Sequence, residues 1–90
     1  MAIDKALTVI RHLLPKWHEI LINAVEDYIE FASPNWEYRV VYSGKPWKLE
    51  GVFDQSAGWY LINRSSKILA KEKSLQKLIS VMETVAVIES

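Results

Sequence analysis

Cysteine is absent from this chain of 90 residues, so neither a disulfide framework nor a thiolate metal site can form. Glycine and proline are scarce, three of each. The glycines are isolated, which leaves no glycine-rich loop to cradle a phosphate. Long apolar runs are missing as well. The longest are a few residues, against the roughly 20 that a membrane-spanning helix needs. Net charge is zero, from 11 basic and 11 acidic side chains. No whole-molecule field therefore draws nucleic acid or anionic lipid to the surface.

The opening Met-Ala-Ile-Asp-Lys alternates apolar with polar and carries an early acid, unlike a secretory signal. Together with the missing cysteine this points to a cytoplasmic protein. It also makes the Asn63-Arg64-Ser65 glycosylation triplet accidental.

What is present suits a folded domain. Half the residues are hydrophobic, a balance opposite to that of disordered chains, and the length fits a single domain with a modest core. Charge is uneven along the chain. Residues 1–35 hold three basic and five acidic side chains, and residues 36–73 hold seven and four. The leading segment and the middle of the chain should attract each other.

Residues 3–32 carry a helical pattern. Ile3, Leu7, Ile10, Leu14, Trp17, Leu21, Ala24, Tyr28 and Phe31 recur at steps of three and four, and Lys5, Arg11, Glu19, Glu26 and Glu30 lie opposite. Pro15 cannot donate to the carbonyl of Arg11 and crowds it, so the helical segment is expected to kink or split there. Ser33-Pro34-Asn35 ends it.

Alternation of apolar and polar residues replaces the helical period from Trp36 onward. Strands are expected at about 36–43, 47–54, 59–64 and 67–72, divided by turns at 43–46, 55–58 and 65–66. Gly51 in mid-strand suggests a bulge or space for a neighbouring side chain. Residues 67–72 compete between a fourth strand and an early start of the last helix, because Ala70-Lys71-Glu72-Lys73 has good helix propensity. Ser74 is a plausible N-cap for a helix over about 74–87, with Leu75, Leu78, Ile79, Met82, Val85 and Ala86 on one stripe and 87–90 expected to fray. Two amphipathic helical segments must bury their stripes, and one face of the sheet is the available surface. The expected fold is an α+β two-layer sandwich over residues 1–90. It has an N-terminal helical segment, an antiparallel meander of three or four strands, and a C-terminal helix.

Function is less legible. If Trp36, Tyr38, Tyr42, Trp47, Phe53 and Trp59 line the helix-facing side, then Val41, Val52, Tyr60, Ile62 and Leu69 remain on the other. An apolar strip framed by Arg39, Lys48, Arg64, Lys67 and Lys71 fits an interaction surface. The competing reading is that aromatics favour strands and lysine stems cover what is left. Non-catalytic binding of a protein, itself included, through the open sheet face or a sheet edge is the expected function, with Arg39, Val41, Tyr60, Ile62 and Arg64 as its residues. The alternative is weak nucleic-acid binding through Lys48, Arg64, Lys67 and Lys71. The order of elements differs from that of an RNA-recognition motif. The spread of Lys67, Lys71, Lys73 and Lys77 around Glu72 also differs from the lysine cluster of a double-stranded-RNA-binding domain.

No catalytic constellation is announced. On a helix His12 and His18 would sit about 120° apart, too far to share a metal, and adjacent His18 and Glu19 diverge. Glu26, Asp27 and Glu30 read as a hydrated charged face. No cofactor and no metal are called for.

Overall fold

A computed structural model describes the backbone of residues 2–89 and the side-chain surroundings of residues 3–83. Helix α1 spans Ala2–Leu13. Its stripe Ile3, Ala6, Ile10 and the following Leu14 is buried, as the three- and four-residue spacing requires. The Leu14 N–H still reaches the Ile10 carbonyl at 2.7 Å. Pro15 then stops the ladder, and the chain turns with the Trp17 N–H on the Leu14 carbonyl at 3.2 Å.

The second half of the expected helical segment is not helix. Residues His18–Asn23 form strand β1 and Tyr28–Ala32 form strand β2, an antiparallel hairpin. Asn23 makes the turn by accepting the Glu26 N–H at its Oδ1, and Asp27 takes a positive φ of 51°. Ile20, Ile22, Ile29, Tyr28 and Phe31 are β-branched or aromatic, which suits a strand better than a helix. The alternation that would have marked β1 as a strand is broken by a bulge between Glu19 and Leu21.

Ser33 closes the next connection. It is buried, and its Oγ accepts the backbone N–H groups of Glu37 and Tyr38, while Trp36 adopts a φ of 62°. Strand β3 consequently begins at Tyr38 and runs to Ser43. The expected strand over 47–54 is two three-residue strands, β4 (Trp47–Leu49) and β5 (Phe53–Gln55), folded about a turn in which Glu50 and Gly51 have φ of 57° and 72°. Gly51 thus serves the turn rather than a strand interior. Strands β6 (Gly58–Asn63) and β7 (Ile68–Glu72) follow, and helix α2 spans Leu75–Glu89 with the Ser74 Oγ accepting the Lys77 N–H at its start. The competition over residues 67–72 is resolved in favour of a strand. Val85 and Ala86 of the expected stripe, like the expected fraying over 87–90, lie outside the described side chains.

The main sheet has five antiparallel strands in the order β1-β2-β3-β6-β7, against the three or four expected, because β1 and β2 join it and the expected strand over 47–54 lies outside it as the separate β4–β5 sheet. Both helices pack on one face. Ile29, Phe31, Val40, Trp59 and Leu61 meet Ile3, Ala6, Ile10, Leu75, Leu78 and Met82 there. Tyr38 and Tyr42 also pack on that core, so the even positions of β3 face the helices as the alternation implies. On the opposite face Val41, Tyr60 and Ile62 are covered by Leu49 and Trp47 of the small hairpin. Three expected core aromatics are placed otherwise. Trp36 and Phe53 are exposed, and Trp47 lies on the face away from the helices. A second bulge, near Leu61 and Ile62, lets Leu69 and Ala70 both reach the helical core while Ile68 joins the other one.

Candidate functional site

The face expected to be open is closed. Val41, Tyr60 and Ile62 are 0%, 1% and 0% exposed, sealed beneath the β4–β5 hairpin. The Trp47 ring stands edge-on to Tyr60, with centroids 5.1 Å apart, and leans on Tyr28 at 5.6 Å. Its Nε1–H is buried with no partner among the described residues, so packing alone holds the ring. Tyr60 donates its hydroxyl to the Ser56 carbonyl at 2.5 Å. These three residues of the expected interaction surface are therefore core.

Arg39 and Arg64 rim that core, and each is spoken for. The Arg39 guanidinium donates to Glu30 Oε2 at 3.1 Å and to Ser66 Oγ at 3.3 Å, and Ser66 in turn donates to the Glu50 carboxylate. Tyr28 donates to the other Glu30 oxygen at 2.8 Å. Burial raises the Tyr28 phenol well above its ordinary pKa, and the Glu30 carboxylate beside it pushes the same way. Arg64 pairs with Glu37 at 3.1 Å. A cleft of about 370 Å³ bounded by Ile20, Trp36, Arg39, Glu50 and Arg64 contains this network, its cations already neutralised.

The residues weighed for nucleic acid are similarly engaged. Lys48 pairs with Asp54 at 2.6 Å, Arg64 with Glu37, and Lys71 donates to Ser56 while its ammonium lies 5.6 Å from the Tyr60 ring centre. Lys67 is exposed. His12 is exposed, and His18 stacks flat on Trp36, ring centres 4.1 Å apart and planes 5° off parallel. Glu26, Asp27 and Glu30 separate around the β1–β2 hairpin, with Glu26 towards Lys45 and Glu30 on Arg39.

Exposed large apolar side chains fall at the β1–β2 turn (Val25), on the small hairpin (Val52 and Phe53) and, as a run of three consecutive residues, at the β1 edge. Ile20, Leu21 and Ile22 are 46%, 47% and 40% exposed, and Trp36 is 55% exposed beside them. Leu21 lies opposite Glu30, which itself lies opposite Val41, so Leu21 is on the hairpin side of the sheet. The bulge brings Ile20 to that side too, where it lines the cleft with Trp36. Ile22 lies opposite Ile29 on the helix side, as does Glu19 opposite Phe31, and Glu19 is paired there with Arg11 at 2.5 Å.

The backbone groups of this edge can be assigned from the ladder. Ser33 N–H donates to the Tyr38 carbonyl and Gly44 N–H to the Asp27 carbonyl, each at 2.8 Å. Antiparallel pairing alternates, so Ile29 and Phe31 exchange bonds with β3 while Tyr28, Glu30 and Ala32 exchange them with β1. The β1 partners of those three are Asn23, Leu21 and His18. Glu19 and Ile22 are left with N–H and C=O pointing away from the sheet. Strand β1 contains no lysine and no proline, the usual guards of an edge, whereas the opposite edge, β7, carries Lys71 and Glu72.

Sequence reasoning missed β1 because it assigned those residues to a helix. The available signal was Ile20-Leu21-Ile22 set between polar ends, after a proline and before Asn23. Among the described residues no helix is long and apolar enough to cross a membrane. Comparison of the chain with protein-family models, with curated proteins and with solved structures returns no match.

Proposed function

We propose that this protein is a non-catalytic, cytoplasmic protein-binding module, and that β1 is its binding element. A partner strand adds antiparallel to the sheet, main-chain bonds to Glu19 and Ile22 supply affinity, and Ile20, Leu21 and Trp36 supply selectivity. One observation carries the reading: a six-residue edge strand with three exposed aliphatic side chains, outward backbone groups and no guarding charge of its own beyond the paired Glu19. The cations weighed for nucleic acid offer weaker support, since most of them already hold an anion or a hydroxyl.

The test compares proteins retained by the wild-type chain with those retained by Ile22→Pro and by the double variant Ile20→Lys, Leu21→Lys. Proline at position 22 removes an outward N–H and no bond to β2. Retention that both folded variants lose supports the reading. Retention indifferent to both removes it, and retention that falls steeply with salt in every variant moves the function to the lysines.

A further inference from the structure

We infer that the strand that completes the sheet is β1 of a second copy of this chain, paired antiparallel about a twofold axis. The inference rests on the β1-edge reading above and names its partner. The outward groups of β1 are self-complementary. A twofold axis between Ile20 and Leu21 sets Glu19 of each copy opposite Ile22 of the other, so all the outward N–H and C=O groups of both residues find partners.

The competing twofold registers do worse. An axis on Glu19 faces two carboxylates across the pair, which is destabilising. An axis on Ile22 carries Glu19, two ladder positions away across the bulge, beyond the end of the strand and opposite the turn at Ala24, where no ladder is available.

Charge agrees with the favoured register. Glu19 is the one formally charged side chain on β1, and Arg11 already holds it. On the helix side it meets aliphatic Ile22 of the second copy rather than another carboxylate. On the hairpin side Ile20 and Leu21 of one copy meet Leu21 and Ile20 of the other, giving a four-residue apolar cluster on the axis. The bulge favours this, since it turns both residues to the same side, and the same spacing recurs in the second copy. The His18–Trp36 stack flanks the cluster and lies across from Asn23 of the second copy. Pairing joins the two five-stranded sheets into one and removes the unguarded edge from both.

Sedimentation velocity from ~10 μM to ~1 mM tests this, a range suited to a small strand-edge interface. The expected result is a mass rising from the 10.4 kDa monomer towards twice that value. Ile22→Pro should weaken association at least ~10-fold, a change in line with losing a central pair of contacts. The Ile20→Lys, Leu21→Lys variant does the same through exposed side chains, and serves if the proline variant does not fold. Because cysteine is absent, register is read directly by oxidising an equimolar mixture of Glu19→Cys and Ile22→Cys proteins. The mixed disulfide should exceed either homodimer. A monomer throughout the range overturns the inference, as does a dimer indifferent to both folded variants or a mixture that cross-links no better than its components. A monomer that still retains another protein only through an intact β1 edge overturns self-pairing alone and leaves the protein-binding reading standing.

Discussion

Trp47 meets Tyr60 edge-on, ring centres 5.1 Å apart and planes 79° apart, and this contact closes the second face of the sheet. Without it Tyr60, Val41 and Ile62 would form the exposed apolar strip that the alternation of β3 and β6 suggests. The hairpin therefore acts as a cover, and the cover rests on few residues.

Leu49 is the aliphatic member of that cover and is buried. Leu49→Ala should cost about 2–4 kcal/mol, the transfer of its side chain plus the cavity it leaves. Urea denaturation measures the cost. Binding of a hydrophobic dye to the native variant should also rise as Tyr60 and Ile62 become accessible.

Gly51 sits in the β4–β5 turn at a φ of 72°, and a Cβ there would meet nothing within 4 Å. Space is available and conformation is not. Gly51→Ala should destabilise by about 1–2 kcal/mol through the left-handed backbone alone. The thermal midpoint should fall while the near-ultraviolet spectrum of the tryptophans is retained.

Arg39 and Glu30 form a half-buried pair, with side chains 29% and 13% exposed, and Glu30 also accepts from Tyr28. Arg39→Leu leaves the Glu30 carboxylate without its cation in a place water reaches poorly. A loss of about 1–3 kcal/mol is expected, less than for a fully buried pair. Adding Glu30→Gln should recover part of it, and a double-mutant cycle in urea gives the coupling.

Tyr28 gives a pH signature. Burial and Glu30 raise its phenol above the ordinary value of 10.0, so the folded protein holds this proton to higher pH than the unfolded chain does. Its contribution is complete below about pH 10 and is lost as pH rises from there towards the folded value, at up to about 1.4 kcal/mol per pH unit. Tyr42 is raised too, by burial and by Asp27, and acts in the same direction. Denaturation midpoints from pH 8 upward should hold and then fall above about pH 10. Tyr28→Phe should flatten the fall.

Much of the fold is legible because local pattern and tertiary demand coincide. The stripe of α1 up to Leu14, the alternation of Tyr38–Ser43 and Gly58–Asn63, and the Ser74 cap are each a local preference that the packed structure uses unchanged. The β1–β2 hairpin was hidden for the opposite reason. Its apolar residues satisfy a helical period and a strand preference at once, and the bulge at Ile20 erases the alternation that would have separated the two. The helix-facing core needs Ile29 and Phe31 from β2, which a helix at that position could not have supplied as a sheet floor.

The candidate site follows the same division. Composition and periodicity alone establish a cysteine-free α+β domain with helices on one side of an antiparallel sheet, since solvent demands that amphipathic faces be paired. Which apolar residues stay in water depends on a long-range event. A short hairpin, too small to declare itself as more than one strand, folds back across Val41, Tyr60 and Ile62, while among the described residues no strand pairs with the outer edge of β1. Burial is settled by contacts between residues distant along the chain, and alternation reports only which side a residue takes. An exposed run of three consecutive aliphatic residues therefore lies at Ile20, Leu21 and Ile22, while Val41, Tyr60 and Ile62 on the sheet face are buried.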